Sequence, residues 1–262
     1  MADLETFLTA GWVHFPRDPA IAKWAAAALP LAQSAARSPL NQGWMDCEGT
    51  WFIGVDALKN ASDGRLPDGT SLEGAPITFV KTHLGCLPAL HLAQTSITYP
   101  GYPRPRKGES DAAFRYRERR DAAHVDGVKM IDAGRNRRVE EPHAWVLGIP
   151  LNDAAPTAAP LVVWEGSHEV MRKGFAKAFE GVPVQDWAQV DVTEAYKAAR
   201  AEAFETCRRV AVHARPGESY LMHRLCLHGV APWAAGDQTE GRAIAYFRPE
   251  MPGGLRDWLT AP

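Results

Sequence analysis

The sequence is short of the features that mark most specialised protein classes. No apolar run approaches the ~18 residues of a membrane span, so no membrane partner is expected. Its four cysteines, Cys47, Cys86, Cys207 and Cys226, form no C-x-x-C pair. That scatter argues against a disulfide scaffold or a zinc finger and reads as free thiols in a reducing cytoplasm. The formal net charge is only −2, which gives no general pull toward nucleic acid or anionic lipid. Residues 1–10 carry Asp3 and Glu5 without a basic n-region, unlike a signal peptide. There is no G-x-S-x-G elbow, no Cys-His nucleophile pattern, no internal repeat and no low-complexity linker.

What remains is an ordinary globular balance over 262 residues, 46% hydrophobic and 23% charged, enough for a core that encloses a small-molecule site. Two helices stand out. Residues 18–37 are Ala-rich, with Asp18 as N-cap and Pro19 at the first helical position, and Pro30 is expected to kink or break them. Residues 191–209 open with a capping-box-like Asp191-Val-Thr-Glu194 and end on Arg208 and Arg209, which suit a C-terminal dipole. Short β-branched and aromatic runs at 76–82, 91–99, 143–151, 160–164, 209–213, 218–222 and 242–248 read as strands. The expected architecture is mainly β with flanking helices, a barrel or sandwich. A single domain over 1–262 is expected, with a helical part to about 75, a β core over about 76–252 and a helical insert at about 183–208.

The chemistry concentrates in two places. His124 and Asp126 stand two apart, so an extended backbone would project both from one face. Alone, H-x-D recurs by chance and reads equally well as a surface turn on Asp126-Gly127. A hundred residues on, His228 ends an apolar run, LCLHGV, and Arg242 opens the next strand fourteen positions later. In an antiparallel pair that spacing returns the guanidinium to the same cavity. Two histidines and a carboxylate leave vacancies on an octahedral ion, which suits non-haem Fe(II) and O₂ chemistry. A permanently charged fork suits the far carboxylate of a chelating co-substrate. His223, five positions before His228, has the opposite strand parity; the spacing to Arg242 favours His228.

These motifs resemble the phytanoyl-CoA dioxygenase family of Fe(II)/2-oxoglutarate oxygenases, from about His91 to Pro249. The matching segments are HVD at 124–126, APLVVWEGSHEV at 159–170, LHGVAPW at 227–233 and GRAIAYFRPE at 241–250. The turns around 159–160 and 165–168 depart from the family's usual Asn-Gly and Pro-Gly-Ser-His. The resemblance implies a double-stranded β-helix (jelly-roll, cupin-like) core. It implies iron on His124, Asp126 and His228, and 2-oxoglutarate on Arg242, with Gln94 and Thr98 as further co-substrate contacts. It also implies oxidation of a small organic molecule with release of succinate and CO₂. A carboxylate at Asp126, where a small residue would open a halide site, points to hydroxylation or a related oxidation.

Two other readings stay open: a cupin-like metalloenzyme without 2-oxoglutarate, against which Arg242 argues, and a jelly-roll binding protein that does not turn over. Residues 101–138 hold eleven Lys/Arg against six Asp/Glu. That excess reads either as attraction for an anionic substrate or as a solvated loop with compensating pairs. Within it, alternation of Arg115, Arg117 and Arg119 reads as one strand face, and Tyr99, Tyr102, Phe114 and Tyr116 as an aromatic wall. His143 and Trp145 share a strand face and read as pocket or core, and His168 as a turn residue. No nucleic-acid module accompanies the charge. The oligomeric state is not legible.

Overall fold

The computed structural model describes residues 4–85, 87–131, 136–236 and 240–262, so the expectation for Cys86 and part of that for the basic stretch 101–138 lie outside it. Three strands make its centre: β7 (Trp145–Pro150), β10 (Ser219–His223) and β12 (Arg242–Phe247). Alternate side chains on them enter two different cores. Leu147, Ile149, Leu221, Ala245 and Phe247 pack with Trp24, Ala25, Ala28 and Ala32 of helix α2 (Pro19–Arg37). Val146, Tyr220, Met222 and Ile244 instead meet Leu161, Val163 and Val212 of a second sheet. Burial on both faces is why these strands read as continuous apolar runs.

The larger sheet has seven antiparallel strands, ordered β1 (Trp12–Phe15), β10, β7, β12, β4 (Gln94–Thr98), β3 (Trp51–Phe52) and β2 (Met45–Asp46). The smaller is β11 (His228–Val230), β8 (Leu161–Glu165) and β9 (Arg208–Val212). A hairpin of β5 (Val128–Ile131) and β6 (Asn136–Val139) stands apart. Outside the small sheet, α5 (Ser167–Phe179), α6 (Thr193–Thr206) and α7 (Gly254–Thr260) cover Val162 and Trp164 with Phe175, Tyr196 and Trp258. The chain is therefore mainly antiparallel β with flanking helices. No helix among the described residues is long and apolar enough to cross a membrane.

Several local expectations are corrected. Helix α2 runs through Pro30 unbroken. The residue four before it, Ala26, is exposed like Pro30 itself, so water can serve the carbonyl that proline leaves without a donor, while Trp24, Ala28 and Ala32 are buried beneath. Segment 76–82 is not a strand but most of helix α3 (Ala75–His83). Its Ile77 and Val80 lie on one buried helical face, and the Asp18 carboxylate caps two helices at once, accepting from Ala20 N at 2.8 Å and Ala75 N at 2.8 Å.

Arg115, Arg117 and Arg119 belong to helix α4 (Asp111–Arg119), capped by Ser110, and not to a strand. Helix α6 starts only at Thr193, whose N–H is held by Asp191. Arg208 and Arg209 fall in β9, not at the helix end. His168 lies inside α5, a helix that the sequence patterns miss, and its Nε2 meets the carbonyl of Leu8 at 2.9 Å. Cys47, Cys207 and Cys226 are free thiols.

Candidate metal centre

The site forms where β11 meets the loop after α4. His124 and His228, distant in sequence, pair through their own backbones: His124 N–H donates to His228 O at 2.8 Å and His228 N–H to His124 O at 3.1 Å. The two imidazoles then lie side by side, ring centroids 4.7 Å apart. Each ring is oriented by a backbone carbonyl, Nδ1 of His124 on Ala122 O at 3.0 Å and Nδ1 of His228 on Cys226 O at 2.9 Å. A proton on Nδ1 leaves the Nε2 lone pair free to bind a metal.

Asp126 completes the set. Its Oδ1 lies 3.2 Å from His124 Nε2 and its Oδ2 lies 3.7 Å from His228 Nε2. Among the described residues this is the one His/Cys/Asp/Glu cluster whose ligand atoms gather closely enough for an ion, all within 4.8 Å of one another. Burial by itself would raise the Asp126 carboxyl, but Arg248, His228 and His124 outweigh it and hold it well below the usual carboxylate range. Burial is also the main cause that pushes His228 down to about 4, so it stays a neutral ligand.

The loop that carries His124 and Asp126 is fixed from three sides. Asp121 takes a two-pronged ion pair from Arg209 at 2.7 and 2.8 Å, and its carbonyl accepts from Val230 N at 2.7 Å. Gly127 has φ +78°, and a Cβ there would lie 1.9 Å from the carbonyl of Glu141. Gly229 separates His228 from Val230, and a Cβ on it would lie 2.1 Å from Asp121 O. Both glycines are thus required by close backbone approach.

A pocket of about 170 Å³ opens on the three ligands, lined by Trp51, Ser96, Val146, Leu161, Val230 and Arg248 among others. Gln94 lines it too. Thr98 does not; it is fully buried opposite Arg242, its register partner on β12. There Thr98 Oγ1, Arg242 Nε and the hydroxyl of Tyr102 are all buried with no hydrogen-bond partner among the described residues. Buried polar atoms normally have partners, so this unsatisfied group of donors fits an anionic ligand that the chain itself does not supply. Burial pushes the Tyr102 phenol above its ordinary range, with Cys47 adding to the rise and Arg117, Arg106 and Arg242 opposing it.

Sequence patterns miss Trp51, Ser96, Tyr246 and Arg248. Ser96 accepts from Trp51 Nε1 at 3.0 Å, and Arg248 Nη1 stands 3.6 Å from Asp126 Oδ1. Strand parity was the available signal: Ser96 shares the face of Gln94, and Arg248 that of Arg242.

The rival histidines lie elsewhere. His223 packs against His168, ring centroids 4.9 Å apart and tilted by 45°, and meets Arg172 Nη2 at 2.9 Å. Trp145 is core, while His143 borders a neighbouring cavity. Burial holds His143, His168 and His223 below the ordinary histidine range, His223 farthest. Unfolding restores their proton affinity, so below about pH 6.5 the unfolded chain takes up protons that the fold refuses. Their contribution is complete above that pH and falls below it, by up to about 1.4 kcal/mol per pH unit for each histidine. Urea unfolding of the metal-free chain should show a midpoint that drops steadily between pH 7 and 5; a flat midpoint would contradict this account.

The basic stretch is largely engaged within the fold. Arg117 pairs with Glu109 at 2.7 Å, Arg106 with Asp46 at 2.9 Å, and Lys129 with Glu141, while Arg120 stacks on Phe204 at 4.4 Å. Nor do its aromatics form one wall: Tyr102 is buried against Trp51, whereas Tyr116 is exposed.

The described residues thus define an antiparallel β fold carrying a two-histidine, one-carboxylate cluster in a pocket between its sheets. No family model and no curated protein matches the chain. Solved structures are similar in fold. AviO1 from Streptomyces viridochromogenes Tue57 has 15% identity and a TM-score of 0.51, over 95% of this chain and 94% of that one. EvdMO1 has 15% identity and a TM-score of 0.50 over 95% of this chain but only 49% of its own length. The epimerase SnoN, solved with Fe3+, alpha ketoglutarate and nogalamycin RO, has 13% identity and a TM-score of 0.47, over 97% and 86%.

Proposed function

We propose that the chain is a single-domain Fe(II)- and 2-oxoglutarate-dependent oxygenase on a double-stranded β-helix core. The observation that carries this is the convergence of His124, Asp126 and His228, each offering one ligand atom within 4.8 Å of the others. The donor set fits Fe(II): two imidazoles locked with Nε2 inward, and one carboxylate kept ionised. Arg242, with Thr98 and Tyr102 beside it, is the receptor for the distal carboxylate of 2-oxoglutarate, and Gln94 is a further polar contact in the pocket. Bound iron and 2-oxoglutarate supply O₂ activation, with succinate and CO₂ released and the substrate oxidised. The protein's own part is orientation: Ala122 O and Cys226 O aim the imidazoles, Arg248 holds Asp126, and Trp51, Val146 and Leu161 keep the reacting region apolar. Because Asp126 would fill a coordination position on the bound ion, hydroxylation or a related oxidation of a small organic substrate is the reaction class.

Anaerobic titration with Fe(II) and 2-oxoglutarate tests the reading through the visible metal-to-ligand charge-transfer absorption. The intact chain should give the band. Arg242→Ala should retain iron but bind 2-oxoglutarate roughly 10- to 100-fold more weakly, the equivalent of about 1.5–3 kcal/mol for a lost charge-assisted contact. Iron binding without the band would favour a cupin-like enzyme that does not use 2-oxoglutarate. No iron binding would favour a non-catalytic binding protein.

A further inference from the structure

The metal pocket adjoins a second cavity of about 120 Å³, and the two share Val55, Gln94, Tyr246 and Arg248. Their linings differ in kind. Trp51, Ile53, Val146, Leu161 and Val230 make the metal side largely apolar. The outer chamber instead gathers three carboxylates, Asp56, Glu250 and the Lys129-paired Glu141, together with His91 and His143. Its one guanidinium, Arg248, is already turned toward Asp126 at 3.6 Å.

His143 is the second observation. Its side chain is only 8% exposed, yet both ring nitrogens lack a hydrogen-bond partner among the described residues. The nearest anionic atom, Glu141 Oε2, lies 3.7 Å from Nε2, beyond hydrogen-bond reach. A backbone bridge between His143 and Glu250 sets this imidazole beside the second carboxylate. Buried imidazoles normally find partners. Here the cavity is where a partner would enter.

We propose that this chamber selects a substrate bearing a protonated nitrogen, an ammonium or amidinium group. The cation sits between Asp56 and Glu250, beside the Lys129-paired Glu141, and donates to the ring of His143. An apolar portion then extends past Tyr246 into the metal pocket, where oxidation occurs. Clustered carboxylates in a concave wall focus a negative field that attracts cations and repels anions. The division into a charged outer and an apolar inner chamber sorts for molecules with one cationic end. The site of oxidation rests on the oxygenase reading; the binding preference does not.

The test is an NMR titration of the metal-free full chain at pH 7.5 with three probes on one ring: cyclohexylamine, cyclohexanol and cyclohexanecarboxylate. The amine, protonated at that pH, should bind at least about tenfold more tightly than the alcohol, with the carboxylate weakest, and should shift the His143 ring signals. The double variant Asp56→Asn, Glu250→Gln should cost the amine about tenfold and leave the alcohol within about twofold. Both positions are exposed, and asparagine tolerates the positive φ of Asp56 (53°), so the variant should fold. Equal affinity for all three probes, preference for the carboxylate, or an unaffected double variant would overturn the proposal. Amine selectivity without the Fe(II)/2-oxoglutarate band would remove only the oxygenase reading, and the band without amine selectivity only this one.

Discussion

Replacing His228 with alanine is expected to abolish the visible band that Fe(II) and 2-oxoglutarate give with the intact chain. Its imidazole is buried and aimed by Cys226 O, and Asp126 lies 3.7 Å away. Among the described residues no other ligand joins the cluster: His223 faces Arg172, and His143 is not part of it. Losing a ligand should weaken iron binding by more than the roughly 10- to 100-fold that loss of an outer-shell partner costs. His223→Ala is the control. It removes an imidazole of the same strand region and should leave the band in place. A normal band in His228→Ala would end the assignment of the three ligands.

The second large effect is on stability. Arg224 is 2% exposed, and its donors go to main-chain oxygens of residues 257–262. Nε donates to Trp258 O at 2.6 Å, Nη1 to Pro262 O at 3.0 Å, and Nη2 to Asp257 O at 3.1 Å and to Ala261 O. Burial is the main reason its guanidinium is pushed down to about 9, so the charge is held at a cost that these carbonyls offset. It also satisfies the C-terminal carbonyls of α7. Asp257 O keeps the N–H of Ala261 and Ala261 O keeps Arg172, but Arg224→Ala would strip the buried Trp258 O of its donor and leave a cavity, at a cost of about 2–4 kcal/mol. For a chain of this size that corresponds to a fall in Tm on the order of 10 °C. Thermal unfolding by circular dichroism measures it, and a shift of about 1 °C or less would show that α7 docks without this residue.

The legible part of this molecule was whatever a local pattern encodes. Strands β4, β7, β8, β10 and β12 announced themselves as short β-branched runs between turn residues, and α2 through Asp18-Pro19 and its alanines. Segment 76–82 failed because Pro-Ile-Thr-Phe-Val has strand propensity, whereas a cap from Asp18, far away in sequence, and burial of Ile77, Phe79 and Val80 make it a helix. The alternation of arginines at 115–119 suits a strand face, but the Ser110 side chain caps Ala113 N and starts a helix there. At the site, residue spacing brought His124, Asp126, His228 and Arg242 forward, but β11 and β12 are not the antiparallel pair that the fourteen-residue spacing suggests: β11 pairs with β8, and β12 lies in the other sheet between β7 and β4. Spacing could not show Arg248 against Asp126, or the carboxylate chamber, because those depend on how 56, 141, 143 and 250 meet across loops.

The backbone bridge between His124 and His228 couples two events that look separate. Two of the three ligand side chains ride on the loop of residues 120–127, and the third sits on the sheet edge. An ion held by all three would therefore act as a clasp between loop and sheet. Linkage makes the relation mutual: docking of the loop strengthens ion binding by the same free energy with which the ion strengthens docking. A side chain at Gly229, or loss of the Arg209–Asp121 pair, would thus lower metal affinity without touching a ligand.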